Sequence, residues 1–207
     1  MVAMTRNSYR SNLWVGGLLV IGVAAYNLSW LINPGVSLSL GAYDLAEWTS
    51  LHPVVRGSNP ALWITLVLRL PMVCAGLIIA CGVLQERQSI RLLLVFLIGA
   101  ALLPPIEFFT QYRHDPNYQQ QFFLALVIWA GGILSLGFKR PGYTRLLIIL
   151  LALIGAVCSL VGLLQGYALM QQFDLSTQVG WGGIVLVGVY TLIVVAIAGD
   201  GVIQQTR

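Results

Sequence analysis

Two residues stand where charge is expensive. Arg69 lies inside a long apolar run, and Glu107 closes another just after Pro104 and Pro105. An ionisable group at such a depth costs at least ~2.5 kcal/mol, so it is paired or functional. At 1.5 Å per residue the two depths differ by about 9 Å, a gap that an arginine side chain bridges by snorkelling. The expectation is an Arg69–Glu107 ion pair. It either fixes the register of two helices or forms an anion, quinone or lipid-headgroup site between them.

A second group, Asp44, Glu47, His52, His114 and Asp115, falls in segments outside the apolar runs. Carboxylates and imidazoles of this kind serve hydrolytic or metal chemistry when they converge. Their spacing does not require convergence. Asp44 and Glu47 are three apart, as in a helix-capping box, and Ala42 to Leu51 reads as a short interfacial helix. Leu45, Trp48 and Leu51 then form its apolar side, aimed at the bilayer or another subunit.

The chain contains no Gly-rich phosphate loop, no dinucleotide fingerprint and no HExxH sequence. Neither of its two histidines lies inside an apolar run, which excludes a bis-histidine haem within the membrane. Cys74, Cys81 and Cys158 all fall inside the runs and read as small packing residues rather than a disulfide framework.

The elements that position these residues follow from composition. A chain of 207 residues that is 58% hydrophobic and 9% charged cannot cover its apolar surface with one soluble core. Six runs are long enough to cross about 30 Å of hydrocarbon: 13–32, 61–84, 90–109, 121–138, 146–170 and 179–198. The expected fold is all-α, a single polytopic transmembrane bundle of about six spans over 1–207. A short interfacial helix is expected in the first outer loop, 33–60. Ser58 or Asn59 is expected to cap the second span, with Pro60 at its first helical position.

Eight basic residues, Arg6, Arg10, Arg87, Arg91, Lys139, Arg140, Arg145 and Arg207, fall on one side of these spans, and Arg56 and Arg113 fall on the other. That bias places both termini in the cytoplasm of a multi-pass protein of the cell membrane. Trp14, Tyr26 and Trp30 mark the two interfaces of the first span. Basic residues scattered among helix ends do not make a nucleic-acid surface.

In the fifth span Gly155, Ser159, Gly162 and Gly166 recur on one helix face, a small-residue stripe where another helix can approach closely. Its partner is expected within the bundle or on a neighbouring subunit. Gln165 sits beside the stripe. Leu13–Gly22 resembles Ile128–Gly137 in composition, but the two stretches occupy different registers of their spans, so no inverted repeat is inferred.

The sequence therefore leads to a non-catalytic membrane subunit that packs against partner proteins in a larger complex. The alternative is a small transporter or lipid- or quinone-binding protein with its site between the second and third spans. A membrane-embedded hydrolase built on the outer-loop acids and histidines ranks third. No cofactor is expected; a bound lipid is allowed for.

Overall fold

The computed structural model describes residues 6–82, 87–137, 141–172 and 176–205. Lys139, Arg140 and Arg207 of the orientation argument lie outside them. The chain is 77% helical. In order it forms α1 (Arg6–Asn27), β1 (Leu31–Asn33), a 3-10 turn (Pro34–Val36), β2 (Leu38–Leu40), α2 (Ala42–Ser50), α3 (Pro53–Arg56) and α4 (Trp63–Gly82). There follow α5 (Gln88–Ala101), α6 (Glu107–Thr110), α7 (Pro116–Leu134), α8 (Pro141–Gln171), β3 (Gln178–Val179) and α9 (Trp181–Gln205).

Among the described residues three helices are long and apolar enough to cross a membrane: Trp63–Gly82, Tyr143–Gln171 and Trp181–Gly199. They mark the chain as a membrane protein. The apolar stretches Trp14–Asn27 and Gln88–Ala101 are shorter.

Their environments differ. In α4, 72% of the apolar window is buried, against 39% in α8 and in α9. Thus α4 is the central helix, packed on α8, α5, α7, α2 and α1, while α9 rests on α8 and α1. Isoleucine, valine and leucine line its sides, with Leu68, Ile78 and Ala80 fully enclosed. Pro71 lies within α4, and the helix continues past it. The buried Tyr190 hydroxyl of α9 donates to the Pro71 carbonyl, tying the two helices at that point.

The third apolar run departs from expectation. Pro104 and Pro105 cannot continue an α-helix, because each lacks an amide proton and crowds the preceding turn. Instead of one helix over 90–109, α5 ends at Ala101 and the four-residue α6 begins at Glu107. Phe108 and Phe109 of α6 pack on Phe122 of α7, with ring centroids 5.4 and 5.9 Å apart.

A small sheet was not anticipated. β1 pairs antiparallel with β2, Leu31 opposite Leu40, and β3 adds to the other edge of β1 with Val179 opposite Leu31. The reversal uses Asn33, whose side chain accepts from the Gly35 amide at 3.0 Å, and Ser37 in the left-handed region at φ 52°. The sheet joins the end of α1 to the start of α9. Beneath it Trp30 is fully buried, its indole donating to the Ala25 carbonyl at 3.1 Å, and Tyr26 is buried beside it. These two rings are core residues rather than interfacial anchors; Trp14, 69% exposed, keeps the outward position expected of it.

The second span starts later than Pro60. α4 begins at Trp63, after Leu62 in a left-handed conformation at φ 56°, so neither Ser58 nor Asn59 caps it. Ser58 instead donates to the Val55 and Pro60 carbonyls, closing the turn after α3.

Candidate functional site

Two features beside α2 concentrate polar groups and open space. The first is a buried cluster around Arg69. Its guanidinium is fully enclosed and meets Glu47 of α2 at 2.5 Å. The same nitrogen donates to the side-chain oxygen of Asn117 at 2.7 Å, and the other terminal nitrogen donates to Gln120 Oε1 at 3.0 Å. Glu47 is held in turn by the Gln121 amide at 2.6 Å and the Asn117 amide at 3.3 Å. One charge is thus paired with one charge and the carboxylate oxygens are held by amides, while the buried Arg69 Nε has no hydrogen-bond partner.

The expected Arg69–Glu107 pair is corrected by this arrangement. Glu107 is exposed in the first turn of α6, cut off from α5 by the proline break. Asp44, not Glu47, takes the capping role: its carboxylate accepts from the Gly41 amide at 3.3 Å. Asn117, Gln120 and Gln121 are spaced i, i+3, i+4 and so share one face of α7. That polar face at the head of an apolar helix was the signal for the cluster, and the sequence reading passed over it.

His52 and Asp115 are engaged separately. His52 caps α3 through its Nδ1, which accepts from the Val54 amide at 3.2 Å. Asp115 caps α7 by accepting from the Asn117 amide at 2.9 Å and pairs with Arg56 at 3.1 Å. Among the described residues no three of His, Cys, Asp and Glu gather as metal ligands would. Trp48 is half-buried; it packs on Val55, Leu62 and Leu169, while Leu45 is fully enclosed and Leu51 is exposed.

The small-residue stripe turns inward. A Cβ on Gly155 would lie 2.7 Å from the Tyr190 ring, one on Gly162 2.9 Å from Leu68, and one on Gly166 2.8 Å from Leu45. Ser159 is fully buried between them and donates to the Gly155 carbonyl at 2.7 Å. The stripe therefore seats α9, α4 and α2 against α8 within the chain.

The second feature is a cavity of about 770 Å³. α1 supplies one wall from Gly16 to Asn27, α5 the opposite wall from Leu94 to Ala101, and Met72 and Ile79 of α4 the floor. The eleven steps along α1 from Gly16 to Asn27 span roughly 16 Å at 1.5 Å per residue. Val20 and Leu97, 72% and 52% exposed, stand on its two walls, so it opens sideways between α1 and α5. Its lining is aliphatic except at the end beside α2, where Tyr26, Asn27 and Tyr43 meet it.

Tyr43 belongs to α2, the helix that Glu47 and Arg69 fasten to the bundle. Burial pushes the Tyr43 phenol up from its ordinary value, the Glu47 carboxylate adds to that, and Arg69 opposes it. The phenol stays protonated at neutral pH and can donate a hydrogen bond. In size and chemistry the cavity matches small-molecule sites, which run from ~300 to 1,000 Å³, mostly apolar with a few placed polar groups. Compared with known proteins, the chain matches no protein-family model, no curated protein and no solved structure.

Proposed function

We propose that this chain is a multi-pass protein of the cell membrane that binds an elongated lipid-like molecule between α1, α4 and α5, without catalysing a reaction on it. The observation that carries this reading is the cavity: apolar along its length, polar at one end, and open sideways toward where acyl chains would lie. It falls between the first three spans, beside the place that the sequence had favoured for a lipid or quinone site.

The reading also takes about six spans, with α1, α5 and α7 crossing beside the three longer helices and both termini cytoplasmic. The excess of basic residues on one side of the spans supports that orientation. A non-catalytic subunit of a larger complex is the competing reading. It drew on the glycine stripe and the apolar side of the outer helix. Both supply contacts inside this chain: Gly155, Gly162 and Gly166 abut Tyr190, Leu68 and Leu45, and Leu45 and Ala46 of α2 are fully buried.

The test uses the one wall residue that can be enlarged without a clash. A Cβ on Gly17 would meet nothing within 4 Å, and Gly17 lines the cavity. Gly17→Phe should fill the space and leave the protein's thermal unfolding unchanged. After detergent purification, lipid mass spectrometry should find a molecule retained in stoichiometric amount by the wild-type chain and lost from the variant. Equal retention by both would sink the proposal. Stoichiometric polypeptides co-purifying in place of a lipid would favour the subunit reading.

A further inference from the structure

Every wall residue of the cavity is uncharged, glycine and aliphatic positions giving way only to Tyr26, Asn27 and Tyr43 at the end beside α2. An ionic head drawn into such a space would lose its hydration with no opposite charge to meet it, a cost of several kcal/mol. The nearest positive charge is not on offer. Arg69 is fully enclosed, already paired with Glu47 at 2.5 Å, and it lines no part of the cavity. Asp44 and Glu47, both on α2 with Tyr43, act against it at this end.

The hydrogen-bonding inventory points the same way. Tyr26 is 2% exposed and its hydroxyl has no hydrogen-bond partner in the protein. The Asn27 amide donates to the Val23 carbonyl at 2.8 Å, which leaves its side-chain oxygen as an acceptor. The Tyr26 hydroxyl is sealed from the cavity, so a donor on half-buried Tyr43 and an acceptor on Asn27, both neutral, meet at one end of an apolar slot.

Resting on the reading of the cavity as a lipid site, we infer that its ligand carries an uncharged head with hydrogen-bonding oxygens, seated at Asn27 and Tyr43 against the Tyr26 ring, and an apolar tail running toward Gly16 and Gly17. A prenylated quinone and a lipid alcohol such as a diacylglycerol share that chemistry. Phospholipids, anionic or zwitterionic, do not.

The full chain, in detergent and followed by native mass spectrometry, is mixed separately with a decyl-substituted benzoquinone, dioleoylglycerol, dioleoylphosphatidylglycerol and dioleoylphosphatidylethanolamine. The expected result is an adduct with the quinone or the glycerol probe, abolished by Gly17→Phe, and none with the two phospholipids. Whichever uncharged probe binds identifies the head. Tyr43→Phe should weaken that adduct about fivefold, the worth of a typical net hydrogen bond, whereas Tyr26→Phe, which removes a hydroxyl sealed from the cavity, should leave it unchanged. That hydroxyl bonds to nothing in the protein, so the thermal unfolding of Tyr26→Phe should also stay at the wild-type value.

Phospholipid adducts that Gly17→Phe abolishes would overturn the uncharged-head inference and leave the cavity reading standing. Adducts sensitive to Gly17→Phe but indifferent to Tyr43→Phe would overturn the seating of the head. If Gly17→Phe changes no adduct at all, the cavity reading itself fails.

Discussion

Replacing Glu47 by alanine should destabilise the protein by about 3 kcal/mol, measured as reversible unfolding in mixed micelles. The variant leaves the Arg69 guanidinium fully enclosed with only amide oxygens from Asn117 and Gln120 for company. Breaking a buried pair from one side typically costs about 3–5 kcal/mol. Glu47 is 33% exposed at its side chain, which places this case at the low end. Arg69→Met should cost a similar amount, since Glu47, Asn117 and Gln120 then lose their common partner. The double variant should recover part of the loss, because a coupled pair is not additive. Glu107→Ala, by contrast, should unfold like the wild type. That contrast separates the observed pair from the one that depth along the helices had suggested.

Enlarging Gly162 should be the second large effect. The added Cβ would stand 2.9 Å from Leu68 Cδ2 and 3.6 Å from the Leu68 Cα, so α4 itself limits how far the side chain can yield. Gly162→Val should therefore cost about 2–3 kcal/mol, the range for overpacking a tight interface. Gly188→Val supplies the control. Its Cβ would meet nothing within 4 Å, and its stability should match the wild type within error. A neutral outcome at Gly162 would mean that α4 and α8 do not meet as described.

The sequence carried the elements further than it carried their meetings. The short helix before the second apolar run was legible because Asp44 and the apolar positions around it keep helical spacing, and α2 runs Ala42–Ser50 where Ala42 to Leu51 was expected. The stripe at Gly155, Ser159, Gly162 and Gly166 was legible as a packing face, since small residues at intervals of three and four have few other uses in an apolar helix. Which helices fill it was not, because Tyr190, Leu68 and Leu45 come from three separate parts of the chain.

Arg69 stood out for its cost, yet its partner could not be found by counting depth along neighbouring spans. The count assumed that the helix carrying Glu107 was continuous, and the paired prolines end it at Ala101. The true partner lies on a helix outside the long apolar runs. A two-residue strand such as Gln178–Val179 has no pattern of its own; it exists because β1 presents an edge at the end of α1. The cavity was least legible of all. It arises from α1 and α5 resting on opposite sides of α4, and the leucines and isoleucines that line it resemble those that face lipid elsewhere.

The account turns on whether a tail lies along the floor formed by Met72 and Ile79. Photo-crosslinking tests that directly, with the full chain in lipid nanodiscs and a tail-borne diazirine on whichever uncharged probe binds, followed by peptide mapping. The account predicts crosslinks concentrated on Met72, Ile79, Leu94 and Ile98 and suppressed by Gly17→Phe. Labels spread evenly over exposed faces such as Leu153 and Val195, and unaffected by Gly17→Phe, would contradict it.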